Sequence, residues 1–140
     1  MYRRIVVPVD SSALSRRALE YALELCKGTG AELTVVYINP IIPSWYGGSI
    51  PERCFTLLEA IGTEESLNNL LSDLDVKSLS ISKKTAAGNP VTLIIGMAKE
   101  EKANLIVMGS RGFNWLTGLL LGSVSQWVIK YAPCPVLIVK

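Results

Sequence analysis

Histidine is absent from this chain. That excludes serine–histidine and cysteine–histidine nucleophiles and every histidine-ligated metal. Cysteine is scarce as well. Cys26, Cys54 and Cys134 are odd in number and far apart, so neither a disulfide framework nor metal-ligand spacing is available. Charge is close to balanced, with 14 Lys and Arg against 12 Asp and Glu, and a net charge of +2 makes no case for nucleic acid. Long apolar runs are missing at the start, where the stretch after Arg3 and Arg4 stops at Asp10. It is too short for a secretory signal, and the expectation is a cytoplasmic protein. Between Arg111 and Lys130 the chain is uncharged, but Asn114, Thr117, Ser123, Ser125 and Gln126 interrupt that stretch, with Gly112, Gly118 and Gly122. Pro133 and Pro135 then block a longer helix. No membrane span is expected there, and a glycine loop followed by a buried helix fits better.

One further absence is local. Residues 102–140 carry Lys102, Arg111, Lys130 and Lys140 but no acid, a balance that suits an anionic ligand. What the chain does have is apolar content, 49% of 140 residues. A folded chain of this size hides roughly two-thirds of its unfolded surface, so a core forms without staples. Disorder is excluded, and residues 1–140 read as one domain with no linker or internal repeat.

Short apolar runs alternate with helical patterns. Ile5–Val9 is a continuous β-branched run of the kind buried on both faces of a sheet. Asp10, Ser11 and Ser12 offer helix caps, Asp10 among them, and Leu14, Ala18, Tyr21, Ala22 and Leu25 recur at helical spacing up to a stop at Gly28. Leu33–Ile38 is a second strand, and Asn39–Ile50 a long loop of the length that adapts to a ligand or partner. Pro51 can open a second helix through Cys54, Leu57, Leu58 and Ile61, continued by Leu67, Leu70, Leu71 and Leu74, with Gly62 as a point of division. Leu79–Ala87 alternates as a strand near a sheet edge. Asn89-Pro90 caps and opens a helix to about Lys102. Leu105–Met108, Ser123–Tyr131 and Pro135–Val139 complete the series as strand, helix and strand. Such alternation predicts a parallel sheet with helices on both faces. Ligands of such sheets bind beyond the carboxyl ends of the strands, here after Val9, Ile38, Ala87 and Met108.

After the fourth strand comes Met108-Gly109-Ser110-Arg111-Gly112, then nine residues, then Gly122-Ser123-Val124-Ser125 at the start of a helix. Glycine lets backbone approach a ligand closely, and a helix N-terminus favours anions. The hydroxyls and N–H groups of Ser123 and Ser125 and the forked donors of Arg111 suit a phosphate. The pattern is neither a Walker A loop nor Gly-x-Gly-x-x-Gly. By its glycines alone it serves equally well as a packing turn.

The glycine spacing resembles the nucleotide loop of the ATP-binding subgroup of the universal stress protein family. Ile5-Val6-Val7-Pro8-Val9-Asp10, Gly88-Asn89-Pro90 and Ala132-Pro133-Cys134-Pro135-Val136-Leu137-Ile138-Val139 resemble the family's first strand, Gly-x-Pro turn and last strand. The resemblance implies an open five-stranded Rossmann-like sheet, ordered 3-2-1-4-5, with adenine nucleotide across the reversal between strands 1 and 4. It places Pro8, Val9 and Asp10 beside the nucleotide, Asp10 on ribose or on a phosphate-bound Mg or Mn ion. Ile38 would read the adenine edge through its backbone. Met108, Gly109, Ser110, Arg111 and Gly112, with Gly122, Ser123, Val124 and Ser125, would contact ribose and phosphates. It also implies a homodimer through Val136, Leu137, Ile138 and Val139.

Two departures stand out. The spacer Phe113–Leu121 has no Lys or Arg, which leaves Arg111 as the main nearby cation and makes AMP or ADP alternatives to ATP. Asn104 stands where relatives carry an acid, and a structural role is expected for it. Phe113, Trp115 and Leu119–Leu121 are expected to pack internally, with a partner surface as the alternative. Cys134, between two prolines, reads as a small buried filler.

The leading expectation is a nucleotide-binding, dimeric stress-response or regulatory module acting on a protein partner that the sequence does not name. The alternative is a slow metal-dependent ATP hydrolase using Asp10 and Arg111, with neither a histidine nor a phosphate-loop lysine to support it. A phosphorylated receiver domain fails, because Asp10 has no acidic companions at the strand ends.

Overall fold

The computed structural model describes residues 1–10, 12–40, 64–110 and 121–140. Five strands form one parallel sheet in the order β3-β2-β1-β4-β5. They are β1 (Arg4–Val9), β2 (Glu32–Pro40), β3 (Ile81–Gly88), β4 (Leu105–Gly109) and β5 (Val136–Val139). The described helices are α1 (Ala13–Thr29), α2 (Glu64–Leu71), α3 (Pro90–Glu100) and α4 (Ser123–Tyr131). Class and strand order match the expectation. The upstream part of the second helix, and Gly62 with it, lies outside the described residues.

The central strand shows why β1 is apolar from Ile5 through Val9. Ile5, Val7 and Val9 face a core shared with α1 and α2, whereas Val6 faces a second core shared with α3 and α4. Alternate side chains of a strand point to opposite faces, so a strand covered on both sides has no polar face to show. β3, at the sheet edge, instead has no fully buried residue, and from Lys83 to Gly88 it alternates between exposed and half-buried positions.

Helix ends depart from the sequence reading in instructive ways. The cap of α1 is Ser12, whose Oγ accepts the Ser15 N–H at 3.2 Å. Asp10 acts one step earlier, with its Oδ1 accepting the Ser12 N–H at 2.7 Å. The helix ends at Thr29 because Gly30 adopts the left-handed conformation (φ 72°) and returns its N–H to the Cys26 carbonyl. Gly28, the expected stop, lies inside it. Ser12→Ala is expected to cost about 1 kcal/mol and lower the melting temperature by roughly 3–6 °C, measured by calorimetry.

α2 ends at Leu71, short of Leu74, whose N–H instead closes a turn on the Leu71 carbonyl. Asn89 caps α3 through the Thr92 N–H, with Pro90 at the first turn. That helix ends at Glu100 rather than Lys102, which takes a positive φ of 50°. β3 begins at Ile81, since the Leu79 N–H closes a turn on the Val76 carbonyl.

Asn104 is structural, as expected: its Oδ1 accepts the N–H groups of Arg3 and Arg4, each at 3.0 Å, and pins the start of β1 beside that of β4. Cys134 is half-buried against the α3/α4 core, and burial raises its thiol pKa. Cys26 is fully buried, and its thiol is pushed up to about 11. Both shifts disfavour the thiolate, the reactive form. Among the described residues no helix is long and apolar enough to cross a membrane.

Candidate functional site

β2 outruns β1. The last registered pair is Val9↔Tyr37, whereas β2 continues through Ile38 and Asn39 to Pro40. The Glu32 N–H donates to the Arg3 carbonyl, and strand alternation then turns the peptide groups of Ile38 toward the β1 side, where that ladder ends. This also explains how Pro40 sits in a strand. The N–H that proline lacks would have pointed past the end of β1, where no partner strand needs it.

The other strand ends close the site around this notch. Pro8, Ile38 and Met108 are buried at the carboxyl ends of β1, β2 and β4. Ile38 and Met108 belong to the α3/α4 core, and Val9 to the α1 core. Carrying the β1–β2 and β1–β4 registers onward sets Asp10 level with Ile38 and Ser110. Asp10 is half-buried and locally fixed. Its N–H donates to Ser15 Oγ at 2.8 Å, and its Oδ1 is held by the Ser12 N–H. Its Oδ2 has no hydrogen-bond partner among the described residues.

The start of α4 is fastened to the end of β4. The Gly122 N–H donates to the Ser110 carbonyl at 2.7 Å, and the Ser110 N–H to the Val139 carbonyl at 2.8 Å. Ser125, 2% exposed, turns its hydroxyl inward to the carbonyls of Gly109 (3.0 Å) and Ser110 (3.1 Å). That hydroxyl is therefore a latch and not an outward phosphate donor. The Val124 side chain joins the α3/α4 core, while Ser123 is exposed. Gly122, the cap of α4, supplies no side-chain hydrogen bond to its first turn. Those N–H groups are left facing outward with the positive end of the helix dipole.

Gly109 has a packing reason of its own. A Cβ there would lie 3.1 Å from Leu14 Cβ and 3.2 Å from the Leu14 carbonyl carbon and oxygen, so the glycine admits α1 against β4. The structure thus gathers Pro8, Val9, Asp10, Ile38, Met108, Gly109, Ser110, Gly122, Ser123, Val124 and Ser125 at one end of the sheet. Arg111, Gly112 and residues 113–120 lie outside the described residues, as do residues 41–50 of the expected loop.

Two contributors escaped the sequence reading. Ser15 holds Asp10 from both sides, since its hydroxyl also donates to the Asp10 carbonyl. Its one signal is a serine on the core face of an apolar helix. Leu14 is the surface that Gly109 meets, and nothing local announces a contact between such distant positions. No group of three His, Cys, Asp or Glu residues that could hold a metal occurs among the described residues.

Residues 1–140 match the family model described as the universal stress protein family. A universal stress protein of Methanocaldococcus jannaschii is 35% identical over all of this chain and 83% of its own length. Among solved structures, a universal stress protein from Lactobacillus plantarum superposes with a TM-score of 0.83 at 27% identity, covering 99% of this chain and 98% of that one. Two further structures carry nucleotides. One is a universal stress protein in complex with cAMP, with TM-score 0.69, 26% identity and coverage of 99% and 97%. The other, from Archaeoglobus fulgidus, is in complex with dAMP, with TM-score 0.68, 25% identity and coverage of 99% and 98%.

Proposed function

The chain belongs to the universal stress protein family, and from that premise we propose that it binds an adenine nucleotide beyond the ends of β1, β2 and β4 and acts as a dimeric stress-response or regulatory module. The cAMP and dAMP complexes of its structural neighbours support an adenine ligand. The observation in this chain that carries the reading is the Ser110 hydroxyl. It sits on a residue 2% exposed, has no hydrogen-bond partner among the described residues, and adjoins the uncapped first turn of α4. Buried hydroxyls without a partner are uncommon, and a phosphate or ribose oxygen satisfies this one and the helix N–H groups together.

The remaining roles follow from position. The backbone of Ile38 reads the adenine edge at the end of the β1 ladder, and Asp10, with Oδ2 free of described partners, takes the ribose hydroxyls. Pro8, Val9, Met108 and Gly109 form the floor, and Ser123, Val124 and Ser125 offer backbone N–H groups. Arg111 and Gly112 belong to the same cradle by sequence. An accompanying Mg or Mn ion fits as a companion of the phosphates, because Asp10 stands in no cluster of metal-ligating residues among the described residues. ATP, ADP and AMP are the candidate ligands.

Binding to the folded state alone raises its stability by about 2.7 kcal/mol at a hundredfold excess over the dissociation constant. Adenine nucleotides are expected to raise the melting temperature, and guanine nucleotides much less, in a scanning-fluorimetry series at millimolar ligand. A flat response to ATP, ADP and AMP alike would refute nucleotide binding.

The dimer reading rests on β5, an apolar strand at the sheet edge whose Leu137 is 38% exposed. Val136, Leu137, Ile138 and Val139 would pair antiparallel with a second copy across a two-fold axis, completing the open ladder. Control of an unidentified protein partner would follow if nucleotide binds two conformations unequally.

A further inference from the structure

We infer that a second copy of this chain docks on the flank of α1 that carries Leu14, Tyr21 and Leu25, with Tyr21 as the anchor, and not along β5 alone. The inference rests on the dimer reading above.

α1 has two flanks beside its buried stripe, and the contacts tell them apart. One flank reaches the segment after α2, where Arg16 pairs with Asp73 at 2.7 Å and Lys27 with Asp75 at 3.8 Å. The opposite flank carries Leu14, Tyr21 and Leu25, which share a side of the helix at spacings of seven and four. Leu14 lies against Gly109 of β4, which turns this flank toward the β4–β5 side of the sheet, and α1 itself packs on both β4 and β5. On the same face of the sheet, Val139 joins the α1 core, and Leu137, two residues earlier, is exposed. Tyr21 is 49% exposed and Leu25 only half-buried. The outer edge of β5 is thus continued by an apolar helix flank with nothing over it among the described residues.

Area decides whether that flank belongs to the interface. A four-residue strand is about 13 Å long, and pairing two of them buries far less than the roughly 1,200–2,000 Å² of a stable, specific interface. Antiparallel pairing of β5 with its copy would set each β4 three strand spacings, about 14 Å, from its counterpart. Helices with their side chains are about 10–12 Å across, so two α1 helices over the β4 strands nearly meet above the paired Leu137 residues. Tyr21 and its copy fill the remaining gap. Tyrosine suits such a place, with a large apolar ring and a hydroxyl able to reach water.

The other exposed aromatic group among the described residues is a poorer candidate. Trp127 and Tyr131 on α4 stack on each other with ring centroids 5.6 Å apart, and Lys130 lies over both rings. That pair already has a cationic partner of its own.

The test is sedimentation of the full chain at tens of micromolar. Wild type is expected to be dimeric, and Tyr21→Lys and Tyr21→Glu each to associate roughly 30-fold or more weakly, because the two-fold axis sets each new charge near its own copy. Tyr21 is a surface position, so both variants should stay folded, with melting curves close to those of isolated protomers. Mixing the two variants should restore a dimer by pairing lysine with glutamate. Trp127→Ala should stay dimeric. A wild-type dimer that persists in Tyr21→Lys, or variants that fail to reassociate on mixing, would overturn the inference while leaving the β5 dimer standing. A monomeric wild type would instead overturn the dimer reading itself.

Discussion

Gly122→Val is expected to weaken adenine-nucleotide binding by roughly 100-fold or more while the protein stays folded. Gly122 sits at the cap of α4 with φ −70° and ψ 161°, a conformation open to any residue. Nothing in its backbone therefore calls for glycine. Its N–H is bound to the Ser110 carbonyl, which sets its α-carbon at the mouth of the uncapped first turn of α4. A branched side chain there occupies the volume that a phosphate would take and screens the N–H groups behind it. Valine leaves that hydrogen bond untouched, so circular dichroism and the melting temperature should change little. Equilibrium titration with a fluorescent adenine nucleotide separates the outcomes. Undiminished affinity in a folded Gly122→Val chain would make the loop a packing turn and shift the functional reading away from nucleotides.

The contrast between glycines shows what the sequence discloses and what it withholds. Gly109 and Gly122 read alike along the chain, as two glycines of one loop. In space, Gly109 has a wall behind it, made by Leu14 of a distant helix, whereas the φ and ψ of Gly122 are open to any residue. Spacing reports that glycine is present, but the reason depends on which surface comes nearest, and that is a tertiary fact. Ser125 teaches the same lesson. A serine in the first turn of a helix fits a phosphate site, but this one is drawn inward by two carbonyls at the end of β4. Those carbonyls become reachable only once α4 has been laid against the sheet.

Elements governed by local rules were legible. β1, β4 and the α1 stripe follow from apolar runs and helical periodicity, and the Asn89-Pro90 start of α3 from capping chemistry. The strand order came from resemblance to a family, since alternation of strands and helices fixes parallel pairing but not which strands are neighbours. Boundaries moved where a long-range contact extended or truncated an element. β2 runs on to Pro40 because β3 accompanies it as far as Gly88, although proline and asparagine read as loop. The site was legible as a set of strand ends. Its fastening through Ser15 was not, because a buried serine in a helix has no pattern of its own.

Gly109→Ala, unlike Gly122→Val, should act on stability first. The added methyl would meet Leu14 Cβ at 3.1 Å and the Leu14 carbonyl carbon and oxygen at 3.2 Å. Two of those three atoms are backbone, held in the first turn of α1, so no rotamer change relieves the contact. Either α1 shifts by a few tenths of an ångström or β4 does, and both are packed into the same core. Overpacking of this kind costs about 1–3 kcal/mol. For a chain of this length that corresponds to a fall in melting temperature of roughly 3–15 °C. Displacing Leu14 also displaces its neighbour Ser15, whose hydroxyl holds the Asp10 backbone from both sides, so Asp10 moves with the helix. Nucleotide affinity should therefore fall moderately, together with stability. Calorimetry and titration on the same preparation check both halves. An unchanged melting temperature would show that α1 yields to the methyl at no cost. Lost stability with undiminished affinity would show instead that Asp10 does not need Ser15 to reach the ligand.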